Sequence, residues 1–64
     1  MNFKENLKTL RIKKGFTQEE LAKLLNVSLE TLRRYEQGRA QPQKLEILES
    51  LTQILECDYN ELLK

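Results

Sequence analysis

The stretch TQEELAKLLNVSLETLRRYE, residues 17–36, contains two helix starts only eleven residues apart. Thr17 is followed three residues later by Glu20, the spacing of a capping box, in which each side chain accepts a hydrogen bond from the other residue's backbone N–H. Ser28 is a second residue of the type preferred at an N-cap. Asn26 lies between them, and asparagine is, after glycine, the residue that best tolerates the left-handed conformation in which many helices end. The stretch therefore predicts two short helices joined by a tight turn.

Apolar residues support this division. Phe16 and Leu21 occupy the positions of a hydrophobic staple, and Val27 and Leu32 repeat the arrangement at the second start. The second capping box is incomplete, because Thr31 stands where glutamate or glutamine would complete it. The apolar residues expected to form the buried face of the first of these two helices are Leu21, Ala22, Leu24 and Leu25.

The flanking segments also have helical periodicity. Apolar residues recur at helical spacing near the amino terminus, and Gly15 is a plausible stop for that helix. After Gly38 and Pro42 comes a longer helix, whose buried side is expected to comprise Leu45, Leu48, Leu51 and Leu55. Asp58, with Glu61 three residues later, caps a last short helix. Neither strand-type alternation nor an internal repeat is evident, so we expect residues 1–64 to form one all-α domain, a compact five-helix bundle.

The composition limits the possible functions. With 39% hydrophobic and 33% charged residues, the 64-residue chain suits a compact helical domain. One cysteine, Cys57, excludes an internal disulfide and is expected to be a small core residue, and the lack of histidine argues against zinc. No nucleophile lies near a base and no glycine-rich phosphate loop is present, so we expect no enzyme activity, no metal and no cofactor. Without a recognisable signal peptide or membrane span, a cytoplasmic protein is expected.

Charge is distributed unevenly along the chain. Residues 1–40 carry nine lysines and arginines against five glutamates, a net charge of +4. Residues 41–64 carry two lysines against five acidic residues, a net charge of −3. This polarity favours a polyanion as partner of the first two-thirds, although ordinary charged helix surfaces would explain it as well.

The helix pair has the length and turn chemistry of a helix-turn-helix, at about residues 17–37. The sequence also resembles the phage repressor and Cro-type (xenobiotic-response-element) helix-turn-helix family, from about Leu7 to Leu63. The resemblance is carried by LKTLRIKKGFTQEELAKLLNVS, TLRRYEQGRAQP and LTQILECDYNELL. Two departures are Asn26, where the family most often has glycine, and a stretch after Gly38 that is about one residue longer.

The resemblance implies a lambda-repressor-like fold that binds double-stranded DNA, with the recognition helix, residues 28–37, in the major groove. It places the candidate DNA-binding residues at Thr17, Gln18, Ser28, Leu29, Glu30, Thr31, Arg33, Arg34 and Arg39. In the family, the glutamine at position 18 hydrogen-bonds a phosphate and can brace the start of the recognition helix. Leu29 would suit a thymine methyl, or could instead be partly buried against the preceding helix. Glu30 would accept from cytosine N4, or simply favour the positive end of its helix.

Arg34 is the strongest single candidate for reading a base. Arg34 would form a bidentate pair with guanine, and Arg33 would bind a phosphate. Thr31 would reach either a phosphate or a base, and Arg39 has the family's position for a backbone contact. For both Arg33 and Arg34 the simpler alternative is a solvated basic helix face.

Two further groups have structural interpretations. In the family, residues at the positions of Arg11 and Glu36 form a partly buried ion pair that links the first helix to the end of the recognition helix. The acidic carboxyl-terminal third offers a possible dimer surface at Tyr59, Leu62 and Leu63. The alternative is that these three residues only close the core of the monomer.

These features predict a small transcriptional regulator, expected to be a repressor, that binds a palindromic operator as a homodimer. The alternative is a helix-turn-helix-fold protein-interaction module, which would hold a toxin or a larger repressor and bind little DNA. Neither hypothesis calls for a small-molecule ligand or a membrane.

Overall fold

The computed structural model describes residues 2–64 and contains, in that range, five α-helices and no strand. The helices are α1 (Phe3–Lys13), α2 (Gln18–Leu25), α3 (Leu29–Gln37), α4 (Leu45–Ile54) and α5 (Tyr59–Leu63). The expectation of an all-α, five-helix fold is confirmed.

The core is built mainly from leucine. Helix α1 packs against α3 and α5, α2 packs against α3 and α4, and α4 packs against α5. Within residues 2–64, the largest fully buried side chains are those of Leu7, Leu21, Leu32, Leu51, Leu55 and Leu62. Complete burial of a leucine stabilises a fold by about 1.5–3 kcal/mol relative to an exposed one, so this cluster is the main apolar contribution to stability.

The predicted caps are present at three helix starts. The Glu20 backbone N–H donates to Thr17 Oγ1 at 3.0 Å, and the Thr17 N–H donates to Glu20 Oε1 at 2.8 Å, which completes the capping box. Asp58 and Glu61 form the same reciprocal pair at the start of α5. Ser28 Oγ accepts from the Thr31 N–H at 3.0 Å. These bonds satisfy backbone donors that a helix start otherwise leaves unpaired.

The turn between α2 and α3 has the predicted left-handed residue. Asn26 has φ 60° and ψ 41°. Its N–H donates to the Lys23 carbonyl at 3.1 Å, and the Val27 N–H donates to the Ala22 carbonyl at 3.0 Å. These two bonds form a Schellman motif, which ends α2 while satisfying its last carbonyls.

The prediction that Leu24 and Leu45 are buried in the core is wrong. Leu24 is 54% exposed and Leu45 is 64% exposed. On a helix of 3.6 residues per turn, Leu24 lies roughly 60° outside the arc that contains the buried residues of α2. Leu45 lies roughly 120° from Leu51, because each step of three residues falls short of a full turn.

The carboxyl-terminal helix requires a further correction. Leu62, proposed as part of a dimer surface, is fully buried in the core and cannot contribute to any outer surface. Its position opposite the exposed side of a five-residue helix explains the burial. Tyr59 and Leu63 remain 41% and 50% exposed.

Candidate nucleic-acid interface

The outward face of α3 is polar and predominantly basic. Leu32 and Tyr35 are buried, whereas Glu30, Arg33 and Arg34 are exposed. Because residues three and four apart are neighbours on a helix, Glu30 lies beside both arginines. Within residues 2–64 the recorded ion pairs are Arg11–Glu36 and Lys14–Glu56, so none of these three exposed charges is used inside the protein.

The first turn of α3 places two hydroxyl groups side by side. Ser28 Oγ donates to Thr31 Oγ1 at 2.8 Å while it accepts from the Thr31 N–H. The Ser28 hydroxyl therefore donates one hydrogen bond and accepts one within the helix cap, and the Thr31 hydroxyl, which accepts in this pair, retains its own proton as a donor. Leu29, in the same turn, is half-buried, so part of the leucine side chain faces solvent.

The start of α2 is attached to the end of α3. Gln18 Nε2 donates to Glu36 Oε1 at 3.0 Å. Glu36 lies in the last turn of α3, so Gln18 contacts the end of this helix and not its start, where the contact was expected. Thr17 is exposed, and its hydroxyl oxygen caps α2.

The Arg11–Glu36 ion pair expected from the sequence is present and nearly buried. Arg11 Nε lies 2.6 Å from Glu36 Oε2, Nη2 donates to Oε1 at 3.2 Å, and the two side chains are only 11% and 4% exposed. Arg11 Nη1 also donates to the Phe16 carbonyl at 2.8 Å. Together with Gln18, these bonds connect α1, α2 and α3 through one carboxylate.

The remaining candidate cation lies just beyond α3. Gly38 ends the helix with φ 77°, and the Arg39 N–H donates to the Arg34 carbonyl at 2.9 Å. Arg34 and Arg39 are both exposed and lie at the carboxyl-terminal end of α3. Arg33, Arg34 and Arg39 therefore lie close together along the chain.

The junction between α4 and α5 contains two side chains, Glu56 and Cys57, whose pKa values are shifted. The exposed Lys14 ammonium hydrogen-bonds Glu56 and lowers the pKa of that carboxyl below its ordinary value. Partial burial, and then the carboxylates of Glu61 and Asp58, raise the pKa of the Cys57 thiol. A raised pKa keeps this thiol protonated at neutral pH, in line with a packing role.

Across residues 2–64, no cluster of histidine, cysteine or acidic side chains has an arrangement that could hold a metal ion.

A family model described as a helix-turn-helix domain matches residues 5–63. The chain belongs to this family. Its helix-turn-helix is the pair α2 and α3, and the match includes every residue of the network around Glu36. No curated protein matches the chain. None of the helices in the described range is sufficiently long and apolar to span a bilayer.

Proposed function

We propose that this helix-turn-helix protein is a small transcriptional regulator that binds double-stranded DNA sequence-specifically, with α3 in the major groove and α2 across the backbone. The observation that carries the proposal is the exposed face of α3. It presents Glu30, Arg33 and Arg34 without intramolecular ion-pair partners, on a helix whose last turn is bonded to α1 and α2 through Glu36. A reading helix requires both free side chains and a fixed orientation.

The side chains of α3 divide into those that read bases and those that bind the backbone. Arg34 forms the bidentate pair with guanine, and Arg33 binds a phosphate. Glu30 accepts from cytosine N4 and, because it repels phosphates, disfavours sites that lack this partner. The outward proton of Thr31 suits an acceptor, either a phosphate oxygen or a base. The exposed part of Leu29 contacts a thymine methyl.

The other candidates position the protein on the duplex. Gln18 uses one amide N–H for Glu36 and has a second N–H for a phosphate oxygen at the start of α2. Arg39 supplies a charge at the opposite end of α3. Thr17 and Ser28 act mainly through their caps, which hold the two helix starts in place. Such contacts set register and affinity without reading sequence.

A single reading helix covers only a few base pairs, so useful specificity requires a homodimer on a palindromic operator with half-sites about 34 Å apart. The exposed Tyr59 and Leu63 on α5 are the proposed dimer residues. Binding that overlaps a promoter would exclude polymerase, so repression is the simplest regulatory outcome.

The test is selection of bound duplexes from a random DNA library, followed by titration of the selected duplex at two salt concentrations. An enriched palindrome, with affinity that falls steeply as salt rises, is the expected result. Gln18→Ala should then weaken binding to all duplexes about equally. Absence of enrichment, with weak binding to every duplex, would contradict the proposal.

The exposed Leu24 and Leu45 favour a second candidate, a module that binds another protein through apolar contacts. Such an interface buries few charges, so its affinity would hardly change with salt. A partner captured equally well at low and high salt, together with failure to select DNA, would favour this alternative.

A further inference from the structure

Lys4, in the first turn of α1, lies across the carboxyl-terminal end of α3. A β-carbon built on Gly38 would be 2.7 Å from Lys4 Cδ and 3.4 Å from Lys4 Nζ. The lysine stem therefore occupies the space that any other residue at position 38 would need. The edge-on contact of Phe3 with Tyr35, with ring centroids 6.4 Å apart, holds the first turn of α1 against α3.

A groove opens at this contact between the start of α1 and the loop after α3. It is lined on the helix side by Asn2 and Lys4, and on the loop side by Gly38 and Gln41. No carboxylate lines the groove, and Lys4 takes part in neither of the ion pairs recorded within residues 2–64. Lys4 is thus a half-buried residue at a polar groove, and its ammonium has no carboxylate partner within residues 2–64.

The groove lies where two other cations are already placed. Arg34 is in the last turn of α3, and Arg39 directly follows Gly38. We propose that Lys4 binds a DNA backbone phosphate at the carboxyl-terminal end of α3, an inference that rests on the proposed DNA-binding function. With α3 in the major groove, a phosphate backbone passes each end of the helix, and a lysine binds it as a point charge. Lys4 is then a positioning contact contributed by α1, outside the helix-turn-helix itself.

The local alternative is that Lys4 only offsets the negative carboxyl-terminal end of the α3 dipole. Lys4→Met separates the two roles, because methionine keeps most of the stem over Gly38 and removes the charge. The measurement is the dependence of the dissociation constant on salt concentration, for the selected duplex and for a scrambled one. Loss of one phosphate contact should make the logarithmic slope shallower by about one for both duplexes, with the preferred sequence unchanged.

Lys8→Met is the matched control, since Lys8 is an exposed lysine of the same helix, whereas the three atoms nearest to a β-carbon at position 38 all belong to Lys4. The control should keep the wild-type slope. Equal loss in both variants would mean that net charge, and not a contact of Lys4, sets the slope, and would overturn the inference. An unchanged slope for Lys4→Met would also overturn it.

A second measurement keeps the test decisive if Lys4→Met folds poorly. The test uses a set of duplexes, each with one phosphate replaced by a neutral methylphosphonate. At one position of the duplex, the replacement should weaken binding of the wild-type protein and have no effect on binding of Lys4→Gln. If every position affects the two proteins equally, the inference is wrong. Failure of the wild-type protein to bind any duplex would instead refute the proposed function.

Discussion

The α2–α3 junction and the α4–α5 junction are built alike, thirty residues apart in the sequence. In each, a left-handed residue, Asn26 or Glu56, donates its N–H to the carbonyl three residues back, at 3.1 and 3.3 Å. The following residue donates five residues back, at 3.0 Å in both cases. An N-cap residue, Ser28 or Asp58, then starts the next helix. The same local geometry is therefore used at both junctions, as it also is at Gly15 between α1 and α2, although no internal repeat was evident from the sequence.

What differs between the junctions is the surface that each presents. The thirty-residue shift aligns Arg33 and Arg34 of α3 with Leu63 and Lys64 at the end of α5. Helix α3 has nine residues and a basic outer face, whereas α5 has five residues and exposes Tyr59 and Leu63. The turn thus specifies how two helices meet, and the outward side chains specify what the second helix can bind.

The junctions also differ in how α1 attaches to them. Arg11 connects α1 to the end of α3 through a nearly buried ion pair, whereas the exposed Lys14 connects it to Glu56 in the second junction. A buried charge that loses its partner is costly, so Arg11→Met should destabilise the fold by about 3–5 kcal/mol. The double change Arg11→Met with Glu36→Leu should cost less than the single change. Urea-induced unfolding measures both.

Lys14→Met is the matched control for the second attachment. An exposed ion pair contributes little, so this variant should unfold close to the wild-type urea midpoint. A loss for Lys14→Met as large as that for Arg11→Met would show that burial does not distinguish the two attachments.

The comparison also predicts which junction determines base preference. Arg34→Ala should relax preference at one base pair by about 1–3 kcal/mol, because the bidentate pair with guanine is lost. Lys64→Ala, at the aligned position, should leave the preferred sequence unchanged. Competition between duplexes that differ at single base pairs measures the effect. Equal loss of affinity for all duplexes would reassign Arg34 to a phosphate contact.

Local chemistry made much of the fold predictable from the sequence. The capping box at Thr17, the stop at Asn26 and the burial of Leu21 and Leu25 depend on residues within a few positions of one another. The left-handed Glu56 was missed, because glutamate has no preference for that conformation and nothing in its neighbourhood signals it. There, the turn lies between two fully buried core residues, Leu55 and Leu62, which belong to different helical segments.

The candidate site was predictable to a smaller degree. Exposure of Arg33 and Arg34 follows from helical periodicity, but the resemblance to a family supplied the Arg11–Glu36 pair. The contact of Gln18 with Glu36 joins residues eighteen positions apart, and that of Lys4 with Gly38 depends on how α1 crosses α3. Such contacts are properties of the packed fold and have no signature in a single sequence.

Exchanging the left-handed residues tests whether the junctions are equivalent. Glu56→Asn should raise the melting temperature by a few degrees, because asparagine accepts the left-handed conformation more readily than glutamate. Asn26→Glu should lower it by a similar amount. Thermal unfolding followed by circular dichroism measures both. Opposite signs would mean that side-chain contacts, and not backbone conformation, dominate at these positions.

The smallest expected difference concerns the residue after each left-handed position, Val27 in one junction and Cys57 in the other. Burial raises the pKa of the Cys57 thiol in the folded state, so between the ordinary and the raised pKa the unfolded chain binds fewer protons than the folded one. The protonated thiol therefore makes its full contribution to the free energy of unfolding below the ordinary thiol pKa. This contribution is lost as the pH rises through the raised pKa of the folded state. Cys57→Val should remove that alkaline decline when unfolding is compared at neutral pH and at about pH 9.5, under reducing conditions. If both proteins decline equally, other groups cause the alkaline loss and the thiol does not differ from valine in this role.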